Sequence, residues 1–232
     1  MKLAVIPARG GSKRIPQKNI KTFCGKPIIA WSIEAAVASG CFDRVVVSTD
    51  DRKTADIAMS YGAEAPFLRP AELSDGHTPT VPVVSHAIQW HRDQDLSPQY
   101  VCCLYATAPF VQADDLRTGL SLLTGSAADY AVTVTSYEFP IQRAVSINSA
   151  GRIAMLHPEH VNTRSQDLPE TFHDAGQFYW GRADAWLEGR PILSEGAIPI
   201  RLPRFRVQDI DSPEDWVFAE TMFKVLQDTQ SE

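Results

Sequence analysis

The sequence predicts an α/β fold built on a mainly parallel sheet with helices on both faces. Three observations carry that reading. Short apolar runs (Lys2 to Pro7, Arg44 to Ser48, Tyr100 to Tyr105) alternate with helical patterns, as strand–helix–strand crossovers require. The runs are of the buried type, rich in Val, Leu and Ile. A chain of 232 residues with 44% hydrophobic and 22% charged residues matches a soluble globular protein, with one α/β domain over 1–232 the expectation at this length. The same figures exclude a disordered chain, a collagen-like repeat and a disulfide-stapled miniprotein. No apolar run approaches the ~20 residues that span a bilayer, and Met1 to Pro7 turns polar too soon for a signal peptide. No membrane partner is expected.

The elements follow in order. Lys2 to Pro7 is a strand running into a long polar loop, Ala8 to Thr22. Pro27 opens a helix over Ile28 to Ser39 that Gly40 closes, proline first and glycine last. Arg44 to Ser48 is a second strand, and Asp50 or Asp51 caps the helix that Gly62 ends. Ala65 to Leu68 reads as a short edge strand, followed by a turn-rich loop from Arg69 to Thr80. A helix over Val83 to Arg92 leads to the strand Tyr100 to Tyr105, and Tyr130 to Ser136 is another strand. Arg143 to Ile147 and Arg152 to Leu156 flank Asn148-Ser149-Ala150-Gly151, which reads as a β-hairpin. The chain then stays irregular and polar through His173, so 137–176 reads as an insertion. Gln177 to Trp180, the strand Ile198 to Leu202 and an amphipathic helix from Pro213 to Leu226 complete the chain. Cys24, Cys41, Cys102 and Cys103 show no C-x-x-C or zinc spacing, and reduced thiols in a cytoplasmic protein account for them. Adjacent Cys102 and Cys103 should point to opposite faces of their strand.

The formal charge of −6 hides an asymmetry. Residues 1–27 hold seven basic side chains and no acidic one, whereas from Asp209 onward seven acidic residues stand against Lys224 alone. A net acidic chain is a poor nucleic-acid binder, and none is expected as a partner. A local cationic loop in such a chain points to a small anionic ligand, with a solvated basic loop as the bland alternative.

That loop reads Pro7-Ala8-Arg9-Gly10-Gly11-Ser12-Lys13-Arg14-Ile15-Pro16-Gln17-Lys18-Asn19 and follows the first strand. Ligands of open α/β sheets bind beyond the carboxyl ends of strands. Gly10 and Gly11 let the backbone approach phosphate oxygens, Ser12 adds a hydroxyl, and Arg9, Lys13 and Lys18 supply charge. Neither G-x-x-x-x-G-K-[ST] nor G-x-G-x-x-G is present. Phosphate binding is the favoured reading over a structural turn. Asp209 and Asp211 sit at an expected strand end, where alternation puts both carboxylates on one side. Such a pair suits Mg²⁺, which takes carboxylates, water and substrate phosphates. Alternatively, Asp211 or Ser212 merely caps the helix from Pro213, with Asp215 a surface charge complementing its dipole.

Ile6 to Asn19 resembles the signature of the sugar-acid cytidylyltransferases, the CMP-sialic acid synthetase family. Cys41 to Asp50, Phe67 to Asp75, Arg164 to Pro169 and Asp209 to Ser212 agree with it in order. Two segments depart from the sialic acid enzymes. Tyr105-Ala106-Thr107-Ala108-Pro109-Phe110 replaces a Gln-Pro-Thr-Ser-Pro-Leu-like run, and Phe172 to Trp180 replaces Phe-Arg-Pro-Asn-Gly. Both resemble the pseudaminic acid cytidylyltransferases.

The resemblance implies a Rossmann-like three-layer nucleotidyltransferase fold, with a small β-hairpin insertion used for dimerisation and sugar binding, and hence a homodimer. It implies CTP and a nine-carbon sugar acid as substrates and Mg²⁺ as cofactor. Arg9, Lys18 and Asp211 would be catalytic. Ala8, Arg9, Gly10, Gly11, Ser12, Lys13, Lys18 and Asn19 would bind the nucleotide, joined by Arg69, Thr78 and Thr80 from the later loop. Tyr105, Thr107, Arg164, Gln166, Phe172 and His173 would bind the sugar, His173 with Asp174 facing its acylamino side. Asp209 and Asp211 would hold the metal. The anomeric hydroxyl would attack the α-phosphorus in line and displace pyrophosphate, with positioning and charge stabilisation dominant. N-acetylneuraminate, legionaminate or a keto-deoxy-octulosonate stays open as the sugar, and so does a non-catalytic nucleotide-binding module of the same fold.

Overall fold

A computed structural model describes residues 1–230, with side chains through Asp228; Glu232, one of the acidic residues counted above, lies outside it. The strands are β1 (Lys2–Pro7), β2 (Thr22–Phe23), β3 (Lys26–Pro27), β4 (Arg44–Ser48), β5 (Tyr100–Leu104), β6 (Tyr130–Ser136), β7 (Val145–Ile147), β8 (Ile153–Met155), β9 (Phe172–Arg182) and β10 (Ala197–Arg201). The helices are α1 (Ile28–Ser39), α2 (Arg52–Ser60), α3 (Thr80–Arg92), α4 (Ala113–Thr124), α5 (Ala183–Leu187) and α6 (Pro213–Gln230).

Six strands form one sheet in the order β10-β6-β9-β5-β1-β4. β4, β1 and β5 run parallel, as do β6 and β10, while β9 lies antiparallel between β5 and β6. Strand alternation sorts side chains into two buried layers. Ala4, Ile6, Cys102 and Trp180 pack under α1 and α4, whereas Leu3, Val5, Cys103 and Tyr179 pack under α3 and α5. The expected opposition of Cys102 and Cys103 is therefore met, both thiols fully buried on opposite faces. The result is three layers, helix on sheet on helix. A third cluster, in which Phe23, Ile28 and Phe110 meet Trp216 and Phe223 of α6, ties the C-terminal helix to the loop after β1 through Ile15.

Local chemistry sets the ends of the elements. Gly40 closes α1 at φ 63°, a left-handed geometry that a Cβ would strain. Asp51, of the two candidates, caps α2 by accepting from the Thr54 backbone N–H at 3.0 Å and the Thr54 hydroxyl at 2.7 Å. The edge strand expected at Ala65 to Leu68 does not form. The segment pairs with the sheet through Glu64, bridged to Val46, and goes no further because Pro66 lacks the N–H a ladder needs. Helix α3 starts at Thr80 rather than Val83. The largest departure is β9: the segment read as irregular to His173 and a short strand from Gln177 is one strand of 11 residues. The insertion therefore ends at 171. Within it β7 and β8 pair only with each other, as the hairpin pattern predicts.

Candidate active site

The parallel strands β1, β4 and β5 deliver their carboxyl ends to one edge of the sheet. Because β9 is antiparallel, it presents its first residues at that same edge, beside the end of β5. Two adjoining clefts of about 530 and 620 Å³ open there, sharing Lys18, Tyr105, Thr107 and Asp211.

The first cleft is cationic. Arg9, Ser12, Lys13, Lys18 and Asn19 come from the loop after β1, and Arg69, Thr78 and Thr80 face them. The loop is held by its backbone: the Gly10 N–H donates to Asp50 Oδ1 at 2.9 Å, and Asn19 Nδ2 donates to the Arg9 carbonyl at 2.9 Å. A Cβ on Gly10 would stand 2.8 Å from Asp51 Cβ, so this glycine is required by close approach. Arg69 is only 5% exposed and its Nε donates to Ser74 Oγ at 3.2 Å. Burial lowers its pKa, yet a guanidinium stays protonated and is primed for an anion.

The second cleft is acidic, lined by Asp174, Asp209 and Asp211 with Tyr105, Thr107, His173 and Tyr179. Asp209 and Asp211 lie in an extended segment before α6, not in a strand. They nevertheless share the cleft because Ile210 between them is buried in the α6 cluster. Asp211 accepts from Lys18 at 3.2 Å and Arg14 at 2.9 Å, and Lys18 Nζ also donates to the Ile210 carbonyl. Burial and the adjacent Asp211 carboxylate raise the Asp209 pKa above the usual range. Asp215 is more than a surface charge: its Oδ2 accepts from the Asp211 and Ser212 backbone N–H groups at 3.1 and 2.7 Å. Ser212 Oγ in turn accepts from the Asp215 N–H at 3.2 Å, so Ser212 does cap α6, and the cap fixes the Asp211 backbone.

Several expected site residues lie elsewhere. The Ala8 side chain is fully buried in the core under α1, leaving only its carbonyl for a ligand, since its N–H bonds the Ser48 carbonyl. Gly10 lines a small hollow against Asp51 rather than either main cleft, and Gly11 lines neither. Arg164 is paired with Asp167 at 2.7 Å on the exposed insertion, and Gln166 sits in the same turn, both away from the clefts of a single chain. Phe172 packs against the Arg201 guanidinium. Tyr179 and Arg14 were not anticipated from sequence; both bind carboxylates that line the second cleft.

The fold and the paired clefts define a nucleotidyltransferase-type α/β protein. A solved CMP:2-keto-3-deoxy-manno-octonic acid synthetase complexed with CTP superposes with a TM-score of 0.69 at 18% identity, covering 98% of this chain and 99% of that one. The model of the cytidylyltransferase family matches residues 3–176. A Campylobacter jejuni pseudaminic acid cytidylyltransferase is 44% identical over 96% of both chains. The CMP-N,N'-diacetyllegionaminic acid synthase of Legionella pneumophila is 32% identical over 97% of both. This chain belongs to the cytidylyltransferase family.

Proposed function

We propose that this protein transfers CMP from CTP to the anomeric hydroxyl of a nonulosonic acid, pseudaminic acid first among them, releasing pyrophosphate. The observation that carries it is the cationic cleft opening directly into a second cleft, with Lys18 and Asp211 at their junction. The 44% identity to a pseudaminic acid cytidylyltransferase supports the choice of sugar.

Arg9, Ser12, Lys13 and Arg69 hold the triphosphate, and Lys18 neutralises charge as it builds on the leaving group. Phosphates compete for Lys18 and Arg14, which releases the Asp211 carboxylate toward the acceptor hydroxyl. Asp211 takes that proton directly or through water. Tyr105, Thr107 and His173 orient the sugar acid.

Asp209 and Asp211 fit Mg²⁺. They are two hard carboxylates on one wall, and among the described residues Asp209 makes no hydrogen bond or ion pair of its own. Among the described residues no third acidic, His or Cys side chain converges with them, so water and phosphate would complete the shell of the ion. When bound, Mg²⁺ screens phosphate charge.

The insertion supports a homodimer. Phe139, Ile147 and Ile153 are each about three-quarters exposed, and an isolated two-stranded hairpin is marginal in water without a partner surface. Arg164 and Gln166 would then serve the site across the dimer. Four free cysteines and a CTP substrate support action in the cytoplasm, and no helix of the described residues is long and apolar enough to cross a membrane.

The test is pyrophosphate release from CTP and Mg²⁺ with pseudaminate, legionaminate, N-acetylneuraminate and keto-deoxy-octulosonate in turn. The highest kcat/KM is expected with pseudaminate, and sedimentation should show a dimer. Preference for another acid would move the substrate, and CTP binding without turnover of any acid would favour the non-catalytic module.

A further inference from the structure

The β9 strand carries a wide bulge at the second cleft. Val132 pairs with Tyr179 and Val134 with Asp174, so Thr133 alone faces the four residues 175–178. The Thr133 hydroxyl closes this gap by donating to the Phe178 carbonyl at 2.9 Å. Bulges of this kind re-aim side chains beside functional clefts. Here the bulge bends Asp174 back against its own strand. Tyr179 Oη donates to Asp174 Oδ2 at 2.6 Å, and the Gly176 N–H donates to Oδ1 at 2.8 Å. Gly176 adopts φ 60°, which a side chain would strain, so the turn that brings its N–H to the carboxylate favours glycine.

Both carboxylate oxygens are thus held, one by each donor, and Asp174 has no ion-pair partner among the described residues. A carboxylate accepts about four hydrogen bonds, so about two acceptor positions remain for a ligand. Tyr179 is itself fixed, its ring edge-to-face on Tyr105, whose hydroxyl is 2.8 Å from that of Thr80 in the first cleft. Asp174 stands apart from the cation pair: among the described residues no three acidic, His or Cys groups converge to hold a metal. A rigid group that only accepts, standing in a cleft beside Asp209 and Asp211, selects donors and repels a substrate carboxylate.

We infer that Asp174 is a specificity-determining residue for the acceptor sugar acid, taking an N–H or O–H of its substituents while turning its carboxylate away. The inference rests on the reading of the protein as a sugar-acid cytidylyltransferase. It assigns Asp174 to the acceptor and not to the nucleotide. The carboxylate stands in the second cleft only, whereas the triphosphate groups belong to the first.

The experiment is Asp174→Asn and Tyr179→Phe in the full chain, with KM measured separately for CTP and for the sugar acid that the wild type turns over best. Losing a charge-assisted hydrogen bond predicts a rise of about 10- to 100-fold in the sugar-acid KM for Asp174→Asn. The CTP KM should stay within about 2-fold, and the thermal shift on adding CTP should be unchanged. Tyr179→Phe keeps the carboxylate but frees it, so a smaller rise in the same KM is expected. Equal rises in both KM values, or an unmoved sugar-acid KM in both variants, would overturn the assignment while leaving the function intact. No pyrophosphate from the wild type with any sugar acid would defeat the functional reading, and this inference with it.

Discussion

Across the junction of Lys18 and Asp211, the loop after β1 faces the bulge of β9, and the two walls are built in opposite ways. The loop is fixed by backbone contacts, Gly10 to Asp50 and Asn19 to Arg9, which leave its cationic side chains to make a field. Arg14 shows the result, with a side chain 69% exposed even while paired to Asp211. In the bulge the ligand-facing carboxylate of Asp174 is itself pinned, by the Tyr179 hydroxyl and the Gly176 N–H, which leaves defined acceptor directions. A field tolerates displacement of a charge by an ångström; a directed hydrogen bond does not. The cationic wall is thus suited to a flexible triphosphate, and the bulge wall to telling one sugar acid from another.

The comparison breaks most severely at the junction. Lys18 touches both Asp211 and the Ile210 carbonyl with a side chain only 18% exposed, so it joins the two walls. Lys18→Met should lower turnover by about 10²- to 10³-fold, the cost of removing one preorganised charge at a reacting centre. Circular dichroism should be unchanged and pyrophosphate release nearly lost. Release near the wild-type rate would mean that the walls act independently and that Lys18 only tethers the Asp211 segment.

The acidic wall can be loosened alone. Arg206, just upstream of Asp209, forms a two-pronged pair with Asp115 at the start of α4, one contact at 3.0 Å. Its carbonyl accepts from Gln177 within the bulge. Both partners of the ion pair are largely buried, so Arg206→Met strands a carboxylate and should cost about 3 kcal/mol in chemical denaturation. More Mg²⁺ should then be needed for half-maximal rate, with the CTP-induced thermal shift kept. A fall in CTP binding as large as the change in Mg²⁺ requirement would show that the walls are one mechanical unit.

How far each wall can be read from sequence follows from where its partners lie. The loop is contiguous: glycines, a serine and four basic residues fall within about a dozen positions, so composition alone reveals an anion site. Asp209 and Asp211 were expected to share a side through strand alternation. They do share it, but because Ile210 anchors in the α6 cluster. Nothing local shows that β9 inserts antiparallel between β5 and β6, since that pairing joins residues about 40 to 80 apart. The bulge, and with it the grip of Tyr179 on Asp174, was therefore invisible. Arg164 and Gln166 were legible only through family resemblance, and a single chain leaves them outside the clefts.

The smallest effect tests how stiff the cationic wall is. Asp51 caps α2, and its Cβ lies 2.8 Å from where a Cβ on Gly10 would fall, so it packs directly against the loop. Asp51→Asn keeps that bulk while weakening the cap, which should cost about 1 kcal/mol or less at neutral pH. The Thr54 hydroxyl holds the Asp51 carboxyl below its usual range. A depressed folded-state pKa stabilises fully above the unfolded value near 4, and the benefit disappears as pH falls through the lower folded value. The stability gap between wild type and variant should therefore be constant near pH 7 and close below about pH 4. The CTP KM should change by less than about 3-fold, because charges held by backbone contacts lose little when a neighbouring cap softens. A larger change would place the stiffness of this wall in the α2 cap, and the contrast with the pinned carboxylate of the bulge would narrow accordingly.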